Sequence, residues 1–337
     1  MKITASIIGA SGYTGVELIK LLLRHPSVEV RNVYAHSSAG KRVAEMYPAF
    51  AKTTDLTFQP MDDLAKDTND LLFVALPHNE SQKVIPPLMS KKKIIDLGGD
   101  FRLKDPSVYS LYYHAKHTAP DALSEVVYGL PEVNAERIRK ASFVANPGCY
   151  PTSAILALAP LAAKKLLPSQ VSVISLSGVS GAGRTPSQKT HFAEANESVS
   201  AYKVGTHQHT PEIEQTLSEL ADTKIGVTFV PHLLPITRGI HTTVTLPLMN
   251  NYTLDNIRAL YEKFYANAPF VRLLPEPPHI KDANYTNFCD IHIAFDSHSN
   301  TLVILSTIDN LVKGAGGQAI QNMNLMYGLP ETEGLLF

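Results

Sequence analysis

The first half of the chain alternates short apolar, β-branched runs with segments of helical periodicity. The runs that we predict to be strands are Ile3–Ile8, Val28–Ala35, Leu71–Leu76, Ile94–Leu97 and Ser142–Ala145. Helices are expected between them at Gly15–Leu23 and at Asn79–Met89, where Pro86-Pro87 shortens the second one. Such alternation is typical of βαβ units with right-handed crossovers, so the pattern predicts an α/β domain built on a parallel sheet.

The second half has longer strand candidates, fewer helices and a different order. Its predicted strands are Val171–Leu176, Gly226–Val230, Ile240–Leu246, Phe288–Phe295 and Leu302–Ile308. Helical patterns lie at Glu212–Ala221 and Leu254–Ala266, and the chain closes with one at about Gly316–Tyr327. The last two strands are joined by the short polar loop at 296–300, as in a hairpin. We therefore expect a second, α+β domain with a mixed, partly antiparallel sheet.

A glycine-rich turn directly follows the first strand. Glycines let backbone N–H groups approach a pyrophosphate, and the helix that follows adds partial positive charge at its N-terminus. The spacing is G-x-x-G-x-x-G rather than G-x-G-x-x-G, but the strand–loop–helix context favours a dinucleotide site over a bare tight turn. The turn predicts a Rossmann domain in which the cofactor contacts Gly9, Ser11, Gly12, Tyr13, Thr14 and Gly15.

The segment after the second strand indicates which nicotinamide cofactor binds. NAD-binding units place an Asp or Glu here, on the ribose 2′-hydroxyl. This chain instead carries Ser37, Ser38, Lys41 and Arg42, with no carboxylate among them. A carboxylate would repel a 2′-phosphate, whereas hydroxyls and cations accept it. The sequence therefore favours NADP(H), and leaves open which of these residues makes the contact.

Cys149 lies where a strand turns into a helix. Asn146-Pro147-Gly148 precedes it, and an apolar helical run begins almost at once after it. A helix N-terminus lowers the pKa of a thiol and so produces the nucleophilic thiolate. The commoner fate of a cysteine is burial as an inert side chain, and Cys289, within an alternating strand pattern, fits that description. We predict a reactive Cys149 and a structural Cys289.

Composition excludes several classes of function. The 337 residues carry a formal net charge of -1, and the basic triplet Lys91–Lys93 is the longest basic run, so nucleic acid and membrane surfaces are not expected partners. No apolar run approaches the roughly 18–20 residues of a membrane span, and the opening residues do not follow a signal-peptide pattern. Two cysteines do not make a disulfide framework, so a reducing cytoplasm is the expected compartment.

Long motifs give the chain a resemblance to the N-acetyl-γ-glutamyl-phosphate reductases of arginine biosynthesis. Asn146-Pro147-Gly148-Cys149-Tyr150-Pro151-Thr152 resembles their active-site signature. The other similar segments are Gly9–Gly15, Ser177–Arg184, His207–Ile213, Pro231–Gly239 and Asn310–Gln318. The likeness runs from end to end, matches the short form without a fused kinase domain, and departs mildly at Gly98-Gly99, where one Ala or Ser is expected.

The resemblance implies a fold like that of aspartate-semialdehyde dehydrogenase. It implies an NADP-binding Rossmann domain at 1–146, a catalytic and oligomerisation domain at 147–309, and a C-terminal helix at 310–337 that packs back on the Rossmann domain. A cytosolic homodimer or homotetramer is also implied, with Asn310 and Gly314 near the nicotinamide. The implied reaction is the reversible, NADPH-dependent reduction of N-acetyl-γ-glutamyl phosphate to N-acetylglutamate 5-semialdehyde and inorganic phosphate.

A thioester on Cys149 divides this hard reduction into two easier steps, and its collapse needs a proton donor. Histidine is the side chain best matched to that task near neutral pH. His207 and His209 both lie on the loop before a predicted helix that Thr210 caps, with Pro211 as its first residue. Side chains two apart in an extended loop point the same way, so both are candidates, with a small preference for His209.

The anionic groups of an acyl phosphate call for guanidinium groups and backbone N–H donors. Arg102 and Arg184 are the preferred candidates, and Arg238 is as readily explained by a salt bridge. Backbone N–H groups at Ser177–Gly183, with Ser177 and Gly178 foremost, are expected to face phosphate or nicotinamide. Glu212 belongs to the active-site segment and is assigned to the substrate, whereas the His-x-His pair lacks a third ligand for a metal.

Two other readings stay open from the sequence. One is a sister reductase that acts on aspartyl phosphate or on the aminoadipyl phosphate of lysine synthesis. The other is a catalytically silent NADP-binding protein, against which the intact Cys149, His207 and His209 speak.

Overall fold

The structure, a computed structural model, describes residues 2–248 and 252–336, and its chain divides into two compact units. Unit 1 comprises Met1–Tyr109, Ala115–Asn146 and Ala315–Phe337, and unit 2 comprises Ser110–His114 and Pro147–Gly314. The three domains predicted from the sequence, at 1–146, 147–309 and 310–337, remain a prediction, distinct from these two units. The helices, numbered in chain order, are α1 (Tyr13–Leu22), α2 (Val43–Met46), α3 (Ser81–Val84), α4 (Pro106–Tyr113), α5 (Pro131–Arg139), α6 (Cys149–Ala163), α7 (Phe192–Ala195), α8 (Thr210–Ala221), α9 (Leu254–Phe264), α10 (Ile280–Ala283) and α11 (Gly317–Met326).

Unit 1 is built on a seven-stranded sheet in which every pairing is parallel. Its strands are β1 (Ile3–Ile8), β2 (Val28–Tyr34), β3 (Phe58–Gln59), β4 (Leu71–Val74), β5 (Lys93–Asp96), β6 (Val127–Tyr128) and β7 (Phe143–Ala145), in the order β3-β2-β1-β4-β5-β7-β6. The four residues of β4 are all buried, as in a parallel sheet covered on both faces. The predicted α/β class and parallel sheet are confirmed.

The helix predicted at Asn79–Met89 is wrong over most of its length. Only Ser81–Val84 is α-helical, and a single 3₁₀ turn follows at Pro86–Leu88. Asn79 adopts a left-handed backbone with φ of 70°, which no helix interior allows. The two prolines at 86 and 87 lack N–H groups and stop the α-helix at its far end.

Unit 2 is built on a second seven-stranded sheet, which is mixed as predicted. Its strands are β8 (Gln170–Gly178), β9 (Ser200–Ala201), β10 (Gly226–Leu234), β11 (Ile240–Pro247), β12 (Val271–Leu273), β13 (Cys289–Asp296) and β14 (Thr301–Ile308), in the order β12-β13-β14-β11-β8-β10-β9. β8 with β10 and β12 with β13 are parallel, and the other pairs are antiparallel. The predicted hairpin is the pair of β13 and β14.

Helix α6 forms the centre of unit 2. Its residues 150–162 are all buried, and it is apolar on every side rather than along one stripe. It lies on β11, β13 and β14, where the Ser153 hydroxyl contacts the Thr242 and Ser306 hydroxyls at 2.8 and 2.9 Å. Helix α6 has 15 residues. No helix in the described parts of the chain is long and apolar enough to cross a membrane.

Candidate functional site

Cys149 is the first residue of α6. Gly148 is the N-cap, with φ and ψ of -68° and 157°, and it has no side chain to cap the helix. The first N–H groups of a helix have no intrahelical partners, so they carry partial positive charge next to the thiol. Neither cysteine is in a disulfide; Cys149 is partly exposed, whereas Cys289 is buried in β13 with its Sγ 3.4 Å from Ser306 Oγ. The contrast between the two cysteines is the one the sequence predicted.

A π-helical turn at Val312–Gly316 passes directly over Cys149. A Cβ built on Gly314 would lie 2.7 Å from Cys149 Cβ and 3.2 Å from its Cα, so only glycine fits there. The turn is held by Asp309, whose carboxylate accepts the N–H groups of Leu311 and Val312 at 2.7 and 3.1 Å. The Cys149 side chain is thus confined on one side by this backbone segment.

The two candidate histidines lie together beside the residue that follows Cys149. Both His207 and His209 are buried, and their ring centroids are 4.7 Å apart. The Tyr150 ring lies edge-on to both, at 5.6 and 5.9 Å. The His209 backbone N–H donates to His207 Nδ1 at 3.1 Å. The structure therefore brings the histidine loop and the start of α6 into one cluster.

Thr210 does not cap α8 in the way the sequence predicted. The N-cap is His209, with Thr210 as the first helical residue and Pro211 as the second. The Thr210 hydroxyl is buried and has no hydrogen-bond partner. The prediction failed because His209 already has helical φ and ψ of -81° and -14°, which moves the start of the helix back by one residue.

Glu212 is fully buried in the first turn of α8. Its Oε1 accepts the backbone N–H of Gly148 at 2.8 Å. This carboxylate therefore touches the turn that carries Cys149, a contact that the sequence did not predict for it.

Tyr150 and Tyr202 were not singled out from the sequence. The Tyr202 hydroxyl donates to the Tyr150 hydroxyl at 3.0 Å, and Tyr150 donates to the His232 carbonyl at 3.2 Å. Burial raises the pKa of both phenols above their ordinary value, so both keep their protons. Tyr202 directly follows the two-residue strand β9 in a mostly exposed segment that leads to α8, and no periodicity or spacing in that segment points to it.

The turn at Ser177–Gly183 is not the open row of donors that the sequence predicted. The N–H groups of Gly178, Val179 and Ser180 donate to carbonyls of the 236–239 segment at 2.9–3.1 Å, and that of Gly183 donates to Ser180. The side chain of Ser177 is buried and donates to the Gly178 carbonyl at 3.1 Å. These backbone groups hold the turn against the start of β11 instead of facing a ligand.

The polar residues around this turn differ in what they contact. Asn310 accepts the Gly239 N–H at 2.8 Å and donates to the Ser180 hydroxyl at 2.9 Å, so its amide also serves the turn. Arg238 is buried, 3.1 Å from the Asp309 carboxylate, as the salt-bridge reading expected. Arg184 is exposed, directly after the turn.

In unit 1 the predicted dinucleotide loop joins β1 to α1, which begins at Tyr13. Gly9 has φ of 78°, and a Cβ there would lie 2.2 Å from the Ala75 carbonyl oxygen. A Cβ on Gly15 would lie 2.6 Å from Ala10 Cα. A Cβ on Gly12, in contrast, would meet only the Gly9 carbonyl oxygen at an ordinary 3.5 Å. Packing within unit 1 therefore explains Gly9 and Gly15, whereas the space around Gly12 would admit a Cβ.

The residues predicted near a 2′-phosphate follow β2 in unit 1. Ser37 and Lys41 are exposed, whereas Ser38 is buried. Arg42 forms an ion pair with Asp55. Ser37 and Lys41 are therefore the two of these four residues that are exposed and do not belong to that ion pair.

Arg102 is buried near the carboxyl end of β5 in unit 1. Its Nε donates to the Asn146 carbonyl at 2.9 Å, and another guanidinium nitrogen donates to the Leu97 carbonyl at 2.8 Å. Nearby, burial first and then the charge of Asp100 raise the pKa of Asp96 to about 7. Arg102 therefore supports the backbone that leads into the Cys149 turn.

No group of three or more His, Cys, Asp or Glu side chains within residues 2–248 and 252–336 is arranged to hold a metal ion.

Comparisons with known proteins cover nearly the whole chain. Residues 4–141 match the family described as semialdehyde dehydrogenase, NAD binding domain, and residues 149–310 match semialdehyde dehydrogenase, dimerisation domain. The N-acetyl-gamma-glutamyl-phosphate reductase of Desulforudis audaxviator is 47% identical over 340 residues, which are 99% of this chain and 98% of the relative. That of Pelotomaculum thermopropionicum is 49% identical with the same coverage.

Solved structures show the fold. Aspartate semialdehyde dehydrogenase II from Vibrio cholerae, complexed with ASA, has a TM-score of 0.75 at 16% identity and covers 97% of this chain and 99% of its own. Aspartate semialdehyde dehydrogenase with NADP from Candida albicans has a TM-score of 0.72 at 16% identity with the same coverage.

The contact between Gly314 and Cys149 gives the first prediction. Gly314→Ala places a methyl group closer than atoms pack and displaces the thiol from the start of α6, so we expect alkylation of Cys149 by iodoacetamide at pH 7 to slow about tenfold. The control is Gly205→Ala, where a φ of 72° strains the backbone but open space surrounds the added Cβ. It should lose stability without changing the alkylation rate. Equal rates in both variants and the unaltered protein would contradict the confinement of Cys149.

Proposed function

We propose that this chain reduces N-acetyl-γ-glutamyl phosphate to N-acetylglutamate 5-semialdehyde and phosphate with NADPH. The chain belongs to the N-acetyl-gamma-glutamyl-phosphate reductase family. Enzymes of this family are oxidoreductases of the semialdehyde dehydrogenase type that act on an acyl phosphate, and their role is in arginine biosynthesis. The observation that carries the proposal is Cys149 at the first residue of α6, clustered with Tyr150, His207 and His209.

The first half-reaction forms the thioester. The Cys149 thiolate, stabilised by the N-terminus of α6, attacks the γ-carbonyl carbon of the acyl phosphate. The bond from that carbon to the phosphate oxygen breaks, and inorganic phosphate leaves with the electron pair. The Cys149 Sγ is then acylated, and the carbonyl can be reduced without competition from a departing phosphate.

The second half-reaction releases the aldehyde. Bound NADPH supplies the hydride that the thioester carbon accepts. A histidine of the cluster gives a proton to the oxyanion that develops on the former carbonyl oxygen, and takes it back as the C–S bond breaks. The aldehyde leaves, and Cys149 returns to the thiolate.

His209 is our choice for that proton transfer. His207 Nδ1 accepts the His209 N–H, which fixes a lone pair on that nitrogen. An imidazolium carries hydrogen on both nitrogens, so His207 cannot become protonated without losing this bond. His209 takes part in this hydrogen bond through its backbone N–H, so the bond does not restrict protonation of the His209 imidazole.

For the cofactor, the NAD-binding domain of the family covers residues 4–141, and NADP is our finer proposal. The loop at Gly9–Gly15 fits a pyrophosphate because Gly12 leaves its outer side open at the N-terminus of α1. Ser11, Tyr13 and Thr14 belong to the same loop. The exposed Ser37 and Lys41 are the residues that we assign to the 2′-phosphate, with Ser38 behind them.

For the anionic groups of the substrate, we assign Arg184, which is exposed at the end of the turn, whereas Arg238 is buried beside Asp309. Ser177 and Gly178 shape the neighbouring turn, and Arg102 is assigned to the support of Asn146. A reducing cytoplasm is the compartment we propose, in keeping with the free thiols of Cys149 and Cys289.

We also propose a homo-oligomer, dimer or tetramer, formed through unit 2. Helix α6 covers one face of the mixed sheet, and alternate residues of β8 face the other way, where Ile174 is 43% exposed. In the cross-strand row around it, Val230, Ile174, Thr243 and Leu305 stand side by side. Ile174 is exposed, and Val230, Thr243 and Leu305 beside it are half-buried; a partly exposed, mostly apolar row of this kind fits an interface, and the family domain that covers residues 149–310 is described as a dimerisation domain. Sedimentation velocity measures the assembly directly, and a monomer at micromolar concentration would contradict it.

The substrate assignment predicts the outcome of an assay in the reverse direction. With phosphate present, the protein should reduce NADP⁺ at the expense of N-acetylglutamate semialdehyde, and kcat/KM should be at least about tenfold higher than with aspartate semialdehyde or the aminoadipate analogue. A pocket that pairs a substrate amide rejects a substrate lacking it by this factor or more. NAD⁺ in place of NADP⁺ should lower kcat/KM about tenfold or more.

Preference for either of the other aldehydes would overturn the arginine assignment and keep the chemistry of Cys149. Activity with none of the three aldehydes would favour a silent NADP-binding protein.

The histidine assignment predicts different effects of two matched substitutions. His209→Asn removes the proton carrier and should lower kcat by about 10²-fold or more. His207→Asn keeps an acceptor for the His209 N–H and should lower kcat less than about tenfold. A larger loss in His207→Asn than in His209→Asn, with both variants folded by circular dichroism, would reverse the assignment.

A further inference from the structure

Glu212 stands at the position of α8 where an acidic residue ordinarily caps its own helix. The N-cap is His209, so Glu212 is the third helical residue, N3. In a capping box the N3 carboxylate reaches back to the N–H of the N-cap residue of the same helix. Here that N–H is already donated to His207 Nδ1, and Glu212 is fully buried.

The carboxylate turns instead to a second helix. Its Oε1 accepts the N–H of Gly148, the N-cap residue of α6, at 2.8 Å. Gly148 has no side chain of its own to fix the turn, and Cys149 follows it directly. A buried carboxylate without hydrogen bonds costs several kcal/mol on general grounds, so this contact holds both partners firmly.

We propose that Glu212 is a positioning residue that caps α6 from α8 and thereby holds Cys149 in place relative to the histidine loop. It acts through the Gly148 backbone and not on the substrate, which differs from the substrate-binding role that the sequence assigned to it. The proposal rests on Cys149 as the nucleophile of the proposed function.

The contact has a mechanical consequence for both helices. α6 and α8 pack against each other, and the hydrogen bond joins their first turns at the end where Cys149 and His209 lie. Without it, the glycine at 148 leaves the turn before Cys149 free to rotate, because Gly has more accessible backbone conformations than any other residue. The thiol would then lose its fixed place beside the α6 N–H groups, and its reactivity toward alkylation would fall.

The test measures Cys149 alkylation by iodoacetamide over a pH series, without substrate or cofactor, together with kcat and KM. Glu212→Ala should raise the midpoint pH of alkylation by about one unit and lower kcat at least about tenfold, with KM for the aldehyde within about twofold. Glu212→Gln keeps an oxygen acceptor and should stay within about threefold of the unaltered protein in both measurements.

The matched control is Glu214, which lies two residues further along the same helix. Glu214 Oε1 accepts the Val227 N–H at 2.8 Å, an equivalent bond to a backbone donor that has no part in the Cys149 turn. Glu214→Ala should lower thermal stability and leave the alkylation midpoint unchanged. If Glu212→Ala does not fold, Glu212→Asp replaces it, since its shorter side chain withdraws the oxygen from Gly148, and the same shift is expected.

Two results would overturn the proposal. One is an unchanged alkylation profile in Glu212→Ala with a raised KM, which would mean that the carboxylate contacts the substrate. The other is a midpoint shift in Glu212→Gln as large as in Glu212→Ala. Alkylation is measured without substrate, so a failure of the proposed reaction itself would appear separately, as absent turnover in the unaltered protein.

Discussion

The arrangement of unit 2 depends on one constraint, the start of a helix with a buried interior at Cys149. Helix α6 lies on the mixed sheet with residues 150–162 buried, so its direction is fixed by the apolar core. Cys149 therefore has a fixed position at the N-terminus of α6, which is the end of a helix that stabilises negative charge. Packing energy far from the reaction thus determines where the nucleophile stands.

Three other segments of unit 2 converge on the same helix start. The π-helical turn places Gly314 against Cys149, the first turn of α8 reaches Gly148 through Glu212, and Tyr150 packs between the histidine rings and Phe229. Hydrogen bonds from buried backbone groups to Asp309 and Asn310 hold the turns behind them. In unit 1 the same physical device recurs, since the glycine loop ends at the N-terminus of α1, where a phosphate is stabilised for the same reason as the thiolate.

The sequence predicted ten of the fourteen strands in the described residues, because alternation and apolar runs report directly on burial. It missed β3, β6, β9 and β12, which have only two or three residues and so carry no pattern. It also placed Cys149 at a helix start, since Gly148 and the following apolar run are local signals. It could not predict that the N–H groups of Gly178, Val179 and Ser180 are used within the protein, because their acceptors at 236–239 lie about 60 residues further along the chain. The roles of Glu212 and Tyr202 were equally hidden, since each depends on a partner from a separate element that no local pattern reveals.

The central claim is that reduction passes through a thioester on Cys149. The most direct measurement mixes the protein with N-acetyl-γ-glutamyl phosphate in the absence of NADPH and follows phosphate release and the mass of the Cys149 peptide. The account predicts a burst of about one phosphate per chain and an acyl group on that peptide, with neither in Cys149→Ser. Phosphate release that waits for NADPH, with an unmodified Cys149 peptide throughout, would contradict it.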